Sequence, residues 1–93
     1  MQGTCKPLGD IDRWTCATFD VDLRDAIDDT DEALVIVDCS GVTFMDSAGY
    51  RVLVGATEYA VRRGHTLVFR DPSPACALLI RLCDSDHELR VDA

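Results

Sequence analysis

Lysine is nearly missing from this chain: Lys6 stands alone beside eight arginines. All basic residues together number nine against seventeen acids, for a net charge of −8. That balance repels phosphate backbones and argues against nucleic acid as a ligand. A protein partner with a basic surface fits it better. Apolar stretches are only a few residues long, far below the ~20 that span a bilayer, so no membrane segment is expected. No basic, apolar and small-residue succession opens the chain, which gives no secretory signal. The five cysteines, Cys5, Cys16, Cys39, Cys76 and Cys83, are odd in number and contain no Cys-x-x-Cys. They read as small hydrophobes in a reducing cytoplasm rather than as a disulfide framework or a zinc site. His65 and His87 stand at no ligand spacing from a cysteine, and the glycines form no phosphate loop. Neither a metal nor a cofactor is expected.

What the 93 residues do contain is globular: 47% hydrophobic and 28% charged, enough for one compact domain over residues 1–93 without a deep cleft. The acids are lopsided. Residues 1–46 hold eleven against Lys6, Arg13 and Arg24, whereas residues 47–93 balance to zero. A short strand is expected over residues 8–12. A helix is expected from about Thr15 to Ile27, with Cys16, Phe19, Leu23, Ala26 and Ile27 on one face, Asp12 or Thr15 as its cap, and Trp14 and Val21 off that face against a sheet rim. Ala33 to Val37 is a β-branched run without polar alternation, the pattern of a buried strand. Residues 39–46 read as a loop. A second helix is expected from about Ser47 to Arg63, ended by Gly64. A strand over residues 65–69 follows. Asp71-Pro72-Ser73-Pro74 then starts a third helix, with Ser73 as cap, Pro74 at its first position, and Ala75, Leu78, Leu79 and Leu82 facing inward. His87 to Val91 reads as a last strand. Alternating strands and helices predict an α/β domain with a mainly parallel or mixed four-stranded sheet and about three helices.

The chemistry concentrates between Asp38 and Gly49. Ser47 falls at a helix start, where unpaired N–H groups and the helix dipole favour negative charge. A hydroxyl there serves as an ordinary N-cap, and an attached phosphate is well tolerated. The run Val37-Asp38-Cys39-Ser40-Gly41-Val42-Thr43-Phe44-Met45-Asp46-Ser47-Ala48-Gly49 resembles the phosphorylation segment of the anti-sigma factor antagonists, which share the STAS domain. Gly9-Asp10-Ile11-Asp12 and Asp71-Pro72-Ser73-Pro74 are similar to two further stretches of that family. The resemblance implies a protein that is not an enzyme but a switch. Unmodified, it binds an anti-sigma factor with serine kinase activity and releases a sigma factor. Phosphate from ATP on Ser47 ends binding, and a serine phosphatase restores it. Asp12 is expected near Asp46 and Ser47. At about 100° per residue, Ala48, Gly49, Val52, Leu53, Ala56, Tyr59 and Ala60 form a core stripe. Ser47, Tyr50, Val54, Glu58 and Val61 fall outside it, which makes Tyr50 and Val54 candidate partner contacts or packing residues for a neighbouring helix. Tyr50 departs from the Leu or Ile usual in the family. The family's N-terminal strand is expected to be missing and its final helix truncated, leaving an unpaired sheet edge that favours oligomers.

Three other readings compete. A receiver domain would use Asp38 as acceptor but needs a late lysine and an acidic pair for a cation. A serine hydrolase would join Ser47 to His65 or His87, yet Met45 stands where the nucleophile elbow needs Gly. An unmodified STAS scaffold in a signalling assembly would keep the fold and ignore Ser47.

Overall fold

The computed structural model describes residues 3–84 and 89–92. In chain order it has β1 (Gly3–Cys5), β2 (Gly9–Ile11), α1 (Cys16–Asp28), β3 (Leu34–Asp38), β4 (Val42–Met45), α2 (Ser47–Arg62), β5 (Thr66–Arg70), α3 (Pro74–Cys83) and β6 (Val91–Asp92). Two sheets form: a four-stranded one of order β1-β3-β5-β6 and a two-stranded one of β2 and β4. Every pairing is parallel. This is the α/β architecture with three helices that the element order predicts.

The central strands are β3 and β5, paired over five residues from Leu34↔Thr66 to Asp38↔Arg70. Val35 and Val37, with Leu67 and Phe69, join the main core, where Phe19, Leu23 and Ile27 of α1 and Leu53, Ala56 and Ala60 of α2 meet them. Ile36 and Val68 alternate to the other face and are also buried. The α1 helix contains several aspartates and β-branched residues, so this packing rather than propensity holds it. At the C-terminal ends of α1 and α2, Asp28 accepts a 2.6 Å hydrogen bond from the Tyr59 hydroxyl and pairs with Arg63 Nε at 3.0 Å. Arg24 and Arg63 sit over the Tyr59 ring.

Several sequence expectations need correction. Residues 3–5 form β1, where no strand was expected; it pairs with β3 and covers the edge of β3 that the reading left open. Three residues carry too little pattern to be seen without their partner. Residues 42–45 are strand β4 rather than loop, for the same reason: their register comes from β2, far away in sequence. Helix α3 buries Cys76 and Ile80, whereas Leu78 and Leu82 face solvent at 53% and 71% exposure. Nearly every residue of α3 is apolar, so periodicity could not choose its inner face. Trp14 and Val21 are exposed at 78% and 55% and cover no rim among the described residues. The last strand is Val91–Asp92; residues 85–88, with His87, lie outside the described ones. Ser73 does cap α3, accepting from Cys76 N at 3.2 Å, with Pro74 at the first turn. Cys39 and Cys76 are fully buried in the core; hydrogen bonding with Cys76 and burial push the Cys39 thiol up.

Candidate functional site

Strands β2 and β4 run parallel, with Ile11 opposite Met45, so the residues that follow each strand emerge at one end of the ribbon. Those are Asp12 and Asp46. The two chain segments are tied there by Asp46 N donating to the Ile11 carbonyl at 3.2 Å. Asp12 thus lies beside Asp46 and Ser47, as expected.

Asp46, not Ser47, caps α2. Its backbone is extended, and its Oδ1 accepts from Ala48 N at 2.9 Å and Gly49 N at 3.1 Å. Ser47 is therefore the first helical residue and is exposed. Its hydroxyl has no hydrogen bond among the described residues. Asp and Ser are equally good caps, so the sequence could not say which of two neighbours serves. Replacing Asp46 by Ala should cost about 1 kcal/mol, up to ~2. For a chain of this size that lowers the melting temperature by about 4–8 °C per kcal/mol. Asp46→Asn, which keeps an acceptor oxygen, should melt close to the native protein; paired thermal scans check both.

Gly49 fixes how closely α2 approaches the ribbon. A Cβ on Gly49 would lie 2.8 Å from Met45 Cγ and 2.9 Å from both Cγ2 and the carbonyl O of Ile11. The glycine two residues after the serine is thus a packing requirement that holds the helix start on the ends of β2 and β4. Asp12 is equally tied down: its Oδ1 accepts from Trp14 N at 2.8 Å and Thr15 N at 3.1 Å. Asp10, on β2, accepts from the Thr43 hydroxyl of β4 at 2.6 Å. Asp10, Asp12 and Asp46 have no ion pair among the described residues. The ribbon end therefore gathers, around an exposed hydroxyl, three carboxylates that have no ion pair among the described residues.

Tyr50 and Val54 are half-buried and pack on the core. The Tyr50 hydroxyl donates to Asp84 Oδ1 at 2.7 Å, joining the first turn of α2 to the end of α3. The sequence reading missed Asp84, which is 8% exposed and also accepts from Leu89 N. It gives the Tyr50 hydroxyl a buried acceptor. Phe44, 48% exposed, was missed as a surface residue too.

Asp38 behaves as a turn residue. It accepts from Ser40 N at 2.9 Å, and Lys6 Nζ stands 3.9 Å away. Hydrogen bonds from Ser40, side chain and then backbone, hold its carboxyl below the ordinary range, helped by Lys6 and Arg70. A depressed folded value stabilises the fold above the unfolded value of about 3.9, and that contribution is lost as pH falls through the folded value. Asp38→Asn should therefore flatten the acid limb of an unfolding titration. A hydrolase constellation of Ser47 with His65 does not assemble: His65 lies beyond the far end of α2, a 16-residue helix about 24 Å long, with its Nδ1 2.6 Å from the Glu32 carbonyl O; His87 lies outside the described residues. Among the described residues no group of three acids, cysteines or histidines is arranged to hold a metal, and no helix is long and apolar enough to cross a membrane.

A family model described as "Mlab, STAS domain" matches residues 8–91. The chain belongs to the STAS domain family. Solved structures share the fold of this STAS domain. One, from Thermotoga maritima and assigned as an anti-sigma factor antagonist, is 14% identical with a TM-score of 0.80, over 97% of this chain and 77% of that one. The anti-sigma factor antagonist SpoIIAA in its unphosphorylated form is 17% identical with a TM-score of 0.74, over 99% and 79%. The Bacillus cell fate determinant SpoIIAA in its phosphorylated form gives 17% and 0.68, over 99% and 82%.

Proposed function

We propose that this STAS domain is an anti-sigma factor antagonist controlled at Ser47. Unmodified, it binds an anti-sigma factor with serine kinase activity, and the sigma factor is released. The Ser47 hydroxyl then gives up its proton as its oxygen bonds to the γ-phosphorus of the kinase's ATP, while the bond to the β-phosphate oxygen breaks and ADP leaves; the modified domain lets go. A serine phosphatase reverses the step. The domain is the substrate in this scheme and catalyses nothing itself, and the scheme operates in the cytoplasm. The observation that carries the reading is the exposed, uncommitted Ser47 hydroxyl beside a neighbour that already caps the helix. Phosphate adds about −1.5 to −2 charge next to Asp46 and Asp12, a charge that must lose its water when the interface closes over it. Asp12, Asp46 and Ser47, with the exposed parts of Tyr50 and Val54, form the switch side of the partner surface.

One observation favours a second reading. The family match is to the STAS domain as such, and an unmodified STAS module that holds a partner in a larger assembly would keep the same fold. Incubation with the anti-sigma kinases of the same genome and ATP separates the two. The switch reading expects one phosphate per chain, absent in Ser47→Ala. No transfer by any of those kinases, with partner binding indifferent to Ser47→Glu, would leave the scaffold reading.

A further inference from the structure

Beside the switch runs an apolar groove between β4 and α3, lined by Phe44, Met45, Ala75, Leu78, Leu79 and Leu82. Three of these are large side chains left in solvent: Phe44, Leu78 and Leu82, at 48%, 53% and 71% exposure. Single exposed apolar residues are ordinary, but a contiguous group marks an interaction site. The α3 helix supplies its share at spacings of three and four, so one helical face is presented.

The charge around the groove selects the occupant. Asp10 stands opposite Phe44 in the β2–β4 pairing, and Asp12 and Asp46 lie at the end of the same ribbon. None of the three is ion-paired among the described residues. On α3 the one cation is Arg81. A second copy of this chain would bring the same carboxylates and a net charge of −8 against them. A partner whose apolar side chains are framed by Lys and Arg meets both features.

We infer that the β4–α3 groove is where the anti-sigma factor anchors: apolar side chains of a basic-rimmed surface on that partner fill the space between Phe44, Leu78 and Leu82. This rests on the function proposed above and adds to it a division of roles. The groove supplies affinity, and Ser47, two residues beyond the groove-lining Met45, supplies control. A phosphate on Ser47 then sits at the rim of the anchor.

The test is calorimetric titration of the full chain against the anti-sigma factor kinases of the same genome. Leu82→Glu and Leu78→Glu, at solvent-facing positions, should each weaken binding at least tenfold, about 1.4 kcal/mol. Val61→Glu, the same change at an exposed position on α2, should bind like the native chain. Far-UV circular dichroism confirms that each variant is folded, and Leu82→Ala serves should Leu82→Glu unfold. Native affinity in both groove variants overturns the inference; if the native chain still takes phosphate on Ser47, the switch reading survives alone. A native chain that sediments as a dimer, dissolved by Leu82→Glu, overturns the inference by making the occupant a second copy. A native chain that binds no anti-sigma factor and takes no phosphate removes both.

Discussion

Ser47→Glu should weaken binding to the anti-sigma factor at least about a hundredfold, ~2.7 kcal/mol, while the melting temperature moves by no more than a few degrees. The first half follows from desolvation: a carboxylate added at Ser47 must shed its water as the interface closes, at several kcal/mol for an ion that no partner cation is placed to pair. Asp12 and Asp46 are fixed by hydrogen bonds to Trp14, Thr15, Ala48 and Gly49 N–H groups, so they cannot swing away from an added carboxylate. The second half follows from Ser47 being the first helical residue rather than the cap. An acid in the first turn of a helix is worth about 0.3–1 kcal/mol in its favour, and the Asp46 hydrogen bonds survive. Ser47→Ala should bind like the native protein and resist release by ATP. Titration calorimetry with a thermal scan of each variant decides the matter. A glutamate variant that binds normally sinks the switch; one that is unfolded sinks the placement of the side chain.

Gly49→Val should cost about 3 kcal/mol or more, enough to lower the melting temperature by about 12–24 °C. Any Cβ there meets Met45 and Ile11 below 3.0 Å, and one of the obstructing atoms is the Ile11 carbonyl oxygen, a backbone group that cannot rotate aside. Gly55 supplies the comparison within the same helix. A Cβ at Gly55 meets only Arg24 Nη2, at an ordinary 3.7 Å. Gly55→Ala should therefore stabilise by up to ~1 kcal/mol, the helix-propensity gain of Ala over Gly. Opposite signs at two glycines of one helix, read from thermal or urea unfolding, would establish the close approach of α2 to the ribbon. Equal signs would deny it.

The three helices and the strands β3 and β5 were legible because their signals are local: an uninterrupted β-branched run at 33–37, apolar spacing of three and four in α1, and Ser73-Pro74 ahead of α3. The ribbon of β2 and β4 was half visible. Its first strand stands out as the short segment of residues 8–12 after Pro7, but Val42 to Met45 becomes a strand only through pairing across more than thirty residues. The α3 orientation was illegible for a different reason. An almost wholly apolar helix has no polar face to point outward, so what it packs against decides, and that information lies in β4 and α2. The start of α2 at Ser47 was legible from Asp46-Ser47-Ala48-Gly49. Missing were the division of capping between Asp46 and Ser47, which two equivalent cap residues hide, and the bond from Tyr50 to Asp84, whose partners are 34 positions apart.

That Asp46 alone starts α2 has an evolutionary corollary. The Ser47 hydroxyl carries no part of the architecture, so under the proposed switch a single nucleotide change at codon 47 would silence regulation without harming the scaffold. A lineage could drift between tunable and constitutive forms of this domain, in either direction, through intermediates that all fold.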